Sequence, residues 1–216
     1  MAKVFTDRRD AGRQLAALLV SSTRLDPVIL GIPRGGVPVA DEVAKALHAW
    51  LDVIVVRKLG VPSSPELAMG AIGEGSVREL DPEILALAAV TDSQLSEVEN
   101  RELNVLDDRV RRLRGTHPRL ELRGRNIIVV DDGIATGSTM RAACTAARAR
   151  GAAHIIAAAP VAPADLRHGV VGADEIVCVE FPRAFWAVGA HYRDFEATSD
   201  KEVDQILAAI PGETPG

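Results

Sequence analysis

Two adjacent carboxylates, Asp131 and Asp132, stand directly before the run Gly133-Ile134-Ala135-Thr136-Gly137-Ser138-Thr139. The apolar residues ahead of them, 127–130, read as a short buried strand. The Ala- and Arg-rich stretch behind them, 140–150, reads as a helix. A small-residue loop that opens a helix offers backbone N–H groups and the positive end of the helix dipole, which suits a phosphate. Carboxylates just before that loop would repel the same phosphate and suit sugar hydroxyls or a divalent cation instead. A phosphate cradle beside an acid pair describes a site for a phosphorylated ribose.

A second candidate turn is Gly31-Ile32-Pro33-Arg34-Gly35-Gly36. Gly35 and Gly36 allow close approach of the backbone, and Arg34 can fork onto phosphate oxygens. A strand expected at 53–56 runs into Arg57 and Lys58, placing two cations at its carboxyl end, the edge where open α/β sheets bind ligands. Near the C-terminus, Phe185, Trp186 and Tyr192 belong to the stretch that holds most of the few aromatics, and such rings can stack on a planar base. Glu74, in a Gly-Glu-Gly turn, is a candidate general base. Two other phosphate motifs are excluded. The chain contains no Gly-Lys-Ser/Thr triplet, and neither glycine-rich turn keeps the G-x-G-x-x-G spacing.

These residues need a scaffold that gathers strand ends. Apolar runs at 28–32, 53–56, 127–130, 155–159 and 176–179 are short, continuous and rich in β-branched residues, as strands buried on both faces are. Helical patterns lie at 8–22, 37–49, 138–150 and 164–171. Strand-helix alternation predicts an α/β fold: a doubly wound, mainly parallel five-stranded sheet with helices on both faces. Residues 61–119 interrupt the rhythm. They predict a loop or hairpin excursion, with strands near 68–72 and 76–80 and a long polar helix over 92–113. An excursion of this length is expected to be weakly packed and to serve as a flexible lid. We expect one domain over 1–216, with its core at 1–60 and 120–180, a small hood at 181–210 and a frayed tail at 211–216.

Composition narrows the function classes. The 216 residues are 47% hydrophobic and 25% charged, a globular balance. A net charge of −5 argues against electrostatic nucleic-acid binding. No uncharged apolar run reaches membrane-spanning length, and the early charges at Asp7, Arg8 and Arg9 argue against a signal peptide. The two cysteines, Cys144 and Cys178, read as small buried apolar residues. A cytoplasmic protein is expected.

The segment 127–139 resembles the 5-phosphoribosyl-1-pyrophosphate (PRPP) signature of the type I phosphoribosyltransferases: hydrophobic strand, acid pair, then a hydroxyl loop. The resemblance implies that Asp131 and Asp132 contact the ribose 2- and 3-hydroxyls. It also implies that Ala135, Thr136, Gly137, Ser138 and Thr139 hold the 5-phosphate. The turn at Arg34, Gly35 and Gly36 resembles the family's pyrophosphate loop, with Arg57 and Lys58 as further pyrophosphate and leaving-group contacts. The excursion falls where the family has its flexible loop, and the aromatics fall where a hood holds the nucleobase. Asp131, Asp132, Arg57 and Lys58 are then the expected catalytic set. Mg2+ is the implied cofactor, held mainly by PRPP oxygens and waters, with Asp131 and Asp132 as the candidate protein contacts.

The implied activity is phosphoribosyl transfer from PRPP to a nitrogen nucleophile such as a nucleobase, with a homodimer as the family expectation. Ala135 departs from the Asp of hypoxanthine-guanine enzymes, which leaves the acceptor open. A non-catalytic PRPP sensor on the same fold is the alternative, and a phosphorylase or hydrolase of phosphoribosyl compounds is a weaker third reading.

Overall fold

The computed structural model describes residues 4–22, 26–114 and 118–209; the tail expected to fray lies outside them. The chain opens with α1 (Arg8–Ser22), then β1 (Val28–Gly31), α2 (Gly36–Leu47) and β2 (Trp50–Val53). β3 (Val56–Val61), β4 (Ser64–Gly73) and β5 (Val77–Leu80) follow, then α3 (Pro82–Leu87) and α4 (Asp92–Arg114). The chain returns through β6 (Asn126–Val130), α5 (Ser138–Ala149), β7 (His154–Val161), β8 (Glu175–Glu180) and α6 (Asp200–Ala208).

The core is a five-stranded sheet in the order β2-β1-β6-β7-β8, all neighbours parallel. Its strands alternate faces, yet both faces are apolar. Ile29, Leu51, Val53, Ile128 and Val130 pack with α1 and α2, while Val28, Leu30, Ile127, Val129 and Ile155 pack with α5. That two-sided burial explains the unbroken apolar runs in the sequence. Order reverses between β1 and β6, which makes their carboxyl ends the topological switch point where open α/β sheets bind ligands.

The excursion forms a second, three-stranded antiparallel sheet, β3-β4-β5. The two predicted strands and the Gly73-Glu74-Gly75 turn are present, with β4 longer than expected. β3 was hidden. The second core strand, expected over 53–56, ends at Val53, and the chain crosses into the other sheet at Val56. Val53-Ile54-Val55-Val56 is apolar throughout and all four are buried, so the change of sheet leaves no polar mark.

The expectation of weak packing does not hold either. Leu59, Met69 and Ile72 are buried with Val98, Leu106 and Leu113 of α4, while Ala71 and Val77 pack with the α5 layer. The small residues Ala142, Ala143, Cys144, Ala146 and Ala147 of α5 are buried, which lets this helix fit between the two sheets. The helix expected at 164–171 is a single 3-10 turn, Ala164–His168, stopped by Gly169 at φ 128°. Within the expected hood, α6 packs against α2 and α4.

Candidate active site

β1 and β6 pair with Gly31 opposite Val130, so both end at the same level. The turn after β1 and the acid pair after β6 therefore emerge side by side. The Ile32 N–H donates to the Val130 carbonyl (2.8 Å), and the Asp131 N–H donates to Ala158 (3.2 Å). A Cβ on Gly35 would collide with the Asp132 carboxylate, and one on Gly36 would lie 2.6 Å from the Val130 oxygen. Both positions demand glycine because the turn presses directly against the acid pair.

The two carboxylates differ. Asp131 accepts the Asp132 N–H at 2.9 Å. Desolvation, and then the neighbouring charge of Asp132, push the Asp131 carboxyl well above the ordinary carboxylate range. Asp132 is held by Arg8, whose Nε donates to it at 2.8 Å. The Tyr192 hydroxyl donates to the Asp132 carbonyl at 2.5 Å. Beyond them, Gly137 at φ 78° turns the chain into α5 and has no side chain to cap it, while the Ser138 N–H donates to Thr136 Oγ1 at 3.5 Å. The N–H groups that follow in this first turn suit an anionic ligand. Ala135, Thr136 and Thr139 are exposed, and the Thr136 and Ser138 hydroxyls lie 3.0 Å apart.

A cavity of about 800 Å3 opens at this switch point. It is lined by Gly35, Asp131, Asp132 and Thr139 from the core, and by Arg57, Lys58, Pro62 and Glu66 from the β3–β4 hairpin. Helix α4 closes the far side with Glu97, Arg101, Glu102 and Arg109. Arg57 and Lys58 thus reach the site, but from the second sheet rather than from the end of a core strand. Glu102 accepts both Nε and Nη2 of Arg57 (2.9 and 2.7 Å), and Glu66 accepts Lys58 at 3.2 Å.

Three expectations are displaced. Arg34 is not in the cavity wall; it pairs with Asp200 at 3.4 Å and lines a neighbouring recess. Glu74 is 6% exposed and accepts Nε (2.5 Å) and Nη2 (2.6 Å) of Arg114, which also holds Asp52, so it is a buried structural ion and not a general base. Of the aromatics, Tyr192 is buried against Phe5 and Phe195, and Phe185 stacks on His191; neither lines the cavity. Trp186 is 89% exposed. The loop carrying it runs beside the acid pair, because Val188 packs directly on Gly133.

Sequence reasoning missed Arg8, Glu102 and Arg109. Arg8 gives no signal, since its partner lies 124 positions away. Glu102 does: it falls between Val98 and Leu106 on the buried stripe of α4, where a carboxylate requires a partner. No cluster of three or more metal-ligating side chains occurs among the described residues. The acid pair alone suits a cation that brings most of its own oxygen ligands, as Mg2+ does.

A family model for the phosphoribosyl transferase domain matches residues 6–193. The chain belongs to this family. A phosphoribosyl transferase domain accounts for the adjacency of acid pair, hydroxyl loop and glycine turn described above. A Mycobacterium tuberculosis protein, represented in strains H37Rv and CDC 1551 and proposed by name to be a phosphoribosyl transferase, is 51% identical over 206 residues. That match covers 95% of this chain but 46% of the relative, so the domain spans less than half the length of the curated relatives it matches. The crystal structure of TT1426 from Thermus thermophilus aligns with TM-score 0.87 and 41% identity, covering 97% of this chain and 100% of that one. A Neisseria gonorrhoeae protein, crystallised with ppGpp, shares the fold at TM-score 0.51 and 11% identity over 97% of this chain and 98% of its own. No described helix of this domain is long and apolar enough to cross a membrane.

Proposed function

We propose that the domain transfers the 5-phosphoribosyl group of PRPP to a nitrogen nucleophile, a nucleobase, with release of pyrophosphate. The observation that carries this reading is the contact between the glycine turn and the acid pair at the switch point, with the hydroxyl loop continuing from it. A donor lying across these elements meets three kinds of partner in order. The α5 amides and the Thr136, Ser138 and Thr139 hydroxyls suit its 5-phosphate. Asp131 and Asp132 accept from the ribose 2- and 3-hydroxyls. The Gly35-Gly36 turn, Arg57 and Lys58 suit the pyrophosphate.

The bond from C1 to the pyrophosphate oxygen breaks as a nitrogen lone pair attacks C1, and the displaced electron pair leaves on pyrophosphate. Positive charge on the ribose in the transition state falls beside the two carboxylates, and negative charge on the leaving group falls beside Arg57 and Lys58. Asp131 and Asp132 would be the residues to hold a Mg2+ ion, which would supply charge neutralisation there. Burial, and then the neighbouring charge of Asp132, raise Asp131, and a cation would relieve that crowding. Enclosure by the β3–β4 hairpin and α4 limits water, which would otherwise hydrolyse the cation. Trp186, 89% exposed, is available to stack on an acceptor base. The free thiols Cys144 and Cys178 fit a reducing, cytoplasmic setting.

The test is incubation with PRPP, Mg2+ and a panel of nucleobases, following pyrophosphate release and nucleotide formation. Nucleotide formed with one base establishes the reaction. Tight PRPP binding without turnover on any base replaces it with a PRPP sensor, and absence of PRPP binding removes both.

A further inference from the structure

Helix α4 presents one continuous face to the cavity: Gln94, Glu97, Val98, Arg101, Glu102 and Arg109 recur at three-, four- and seven-residue spacing. Along that face the charges are used differently. Glu102 satisfies Arg57 and is also approached by Arg101 (3.2 Å). Arg109, seven residues on, makes no ion pair with any described carboxylate. Its Nη2 instead donates to the carbonyl oxygen of Pro33, at 2.6 Å. Pro33 is the residue before Arg34, in the turn that abuts the acid pair. Arg109 also lines the adjoining recess of about 320 Å3, together with Arg34 and Arg112, so it stands in the wall shared by the two spaces.

Burial, and then the like charges of Arg57 and Arg34, make the Arg109 cation harder to hold, with Asp200 opposing them. A half-buried guanidinium among like charges is completed by an anion. A guanidinium also has donors to spare: five N–H groups, of which one bond to Pro33 uses a single donor.

We propose that Arg109 is a positioning residue for pyrophosphate: it anchors the glycine turn through Pro33 and supplies the unpaired positive charge of the pocket. The inference rests on the proposed PRPP reading and adds to it a residue from the excursion helix. The Pro33 bond sets where the Gly35 and Gly36 amides lie, and the free donors of the same fork face the space that the leaving group would fill. Lysine at this position would keep a charge but could not span both partners, because its single ammonium lacks the planar fork.

The experiment measures binding of inorganic pyrophosphate, with Mg2+, and of ribose 5-phosphate to wild type, Arg109→Ala and Arg109→Lys by calorimetry, with thermal unfolding of each alongside. The expected result is a 10- to 100-fold weaker pyrophosphate affinity in Arg109→Ala, about what one or two lost charge-assisted bonds would cost. Arg109→Lys is expected to fall between it and wild type, with ribose 5-phosphate affinity unchanged throughout. Unchanged pyrophosphate affinity in Arg109→Ala, or equal losses for both ligands, would overturn the inference while leaving the donor site intact. Wild type that binds neither ligand would overturn the donor reading itself.

Discussion

The core sheet and the excursion sheet are built from similar residues but handle charge in opposite ways. At the core's switch point, two carboxylates share one arginine, Arg8 on Asp132, and Asp131 is pushed well above its ordinary range by desolvation and then by its neighbour. In the excursion, Arg109 apart, buried charges are matched. Arg114, 6% exposed, is gripped by Glu74 and Asp52, and Arg57 by Glu102. Burial works against the Arg114 cation, but the two carboxylates more than offset it, and its pKa lies above the ordinary arginine value. A matched charge network holds a structure, whereas a carboxylate with no ion-pair partner among the described residues, as Asp131 is, waits for a ligand. That difference separates scaffold from site more clearly than burial does.

The contrast breaks most visibly at Arg114. Arg114→Ala strands two buried carboxylates and is expected to cost about 3–5 kcal/mol of stability, measured by denaturant unfolding. A loss below about 1 kcal/mol would mean that the network is not what holds the excursion to the core. Next in size, the double substitution Asp131→Asn with Asp132→Asn is expected to weaken PRPP binding by about 100-fold or more, since two charged acceptors are lost. Unchanged PRPP affinity by calorimetry would remove the acid pair from the donor site.

Arg57→Ala sharpens the comparison, because Arg57 belongs to the matched network and yet faces the cavity. Arg101 still approaches Glu102, so the fold should survive, while pyrophosphate affinity falls about 10-fold in a titration. No fall would confine Arg57 to the scaffold. The smallest effect is expected from Asp131→Asn alone, which removes the carboxyl that lacks an ion-pair partner and adds about 1 kcal/mol of stability at neutral pH. Because the folded protein keeps the Asp131 proton above the pH at which the unfolded chain releases it, stability falls as pH rises through that window. The substitution should flatten that slope in thermal scans, and an unaltered slope would show that Asp131 carries no raised pKa.

Legibility in the sequence followed the kind of packing. Core strands buried on both faces stand out as unbroken apolar runs, and Asp131-Asp132 with its hydroxyl loop is local, so spacing alone brought those residues together. The β2–β3 crossing was invisible because Ile54 and Val55 are as apolar as the strands they join. Arg8, Arg109 and the Arg114–Glu74–Asp52 network depend on partners far along the chain, which no local pattern encodes. Tyr192 illustrates a further limit. Its hydroxyl supports the Asp132 backbone, and its ring completes a small apolar cluster with Phe5, so an aromatic near a site was structural rather than ligand-facing.

The position of Arg114 at the very end of α4 has a mechanical consequence. The helix is held where Arg114 meets Asp52 of β2 and Glu74 of the β4–β5 turn, and Gln94, on the cavity rim, lies 20 residues away, about 30 Å along the axis. Such an arrangement is a lever with its pivot at one end. A rotation of about 5° leaves Arg114 in place, shifts Arg109 by under about 1 Å, and moves the rim at Gln94 by about 2.6 Å. Any swing of α4 about this pivot therefore changes the width of the cavity mouth while leaving the charges near the pivot almost stationary.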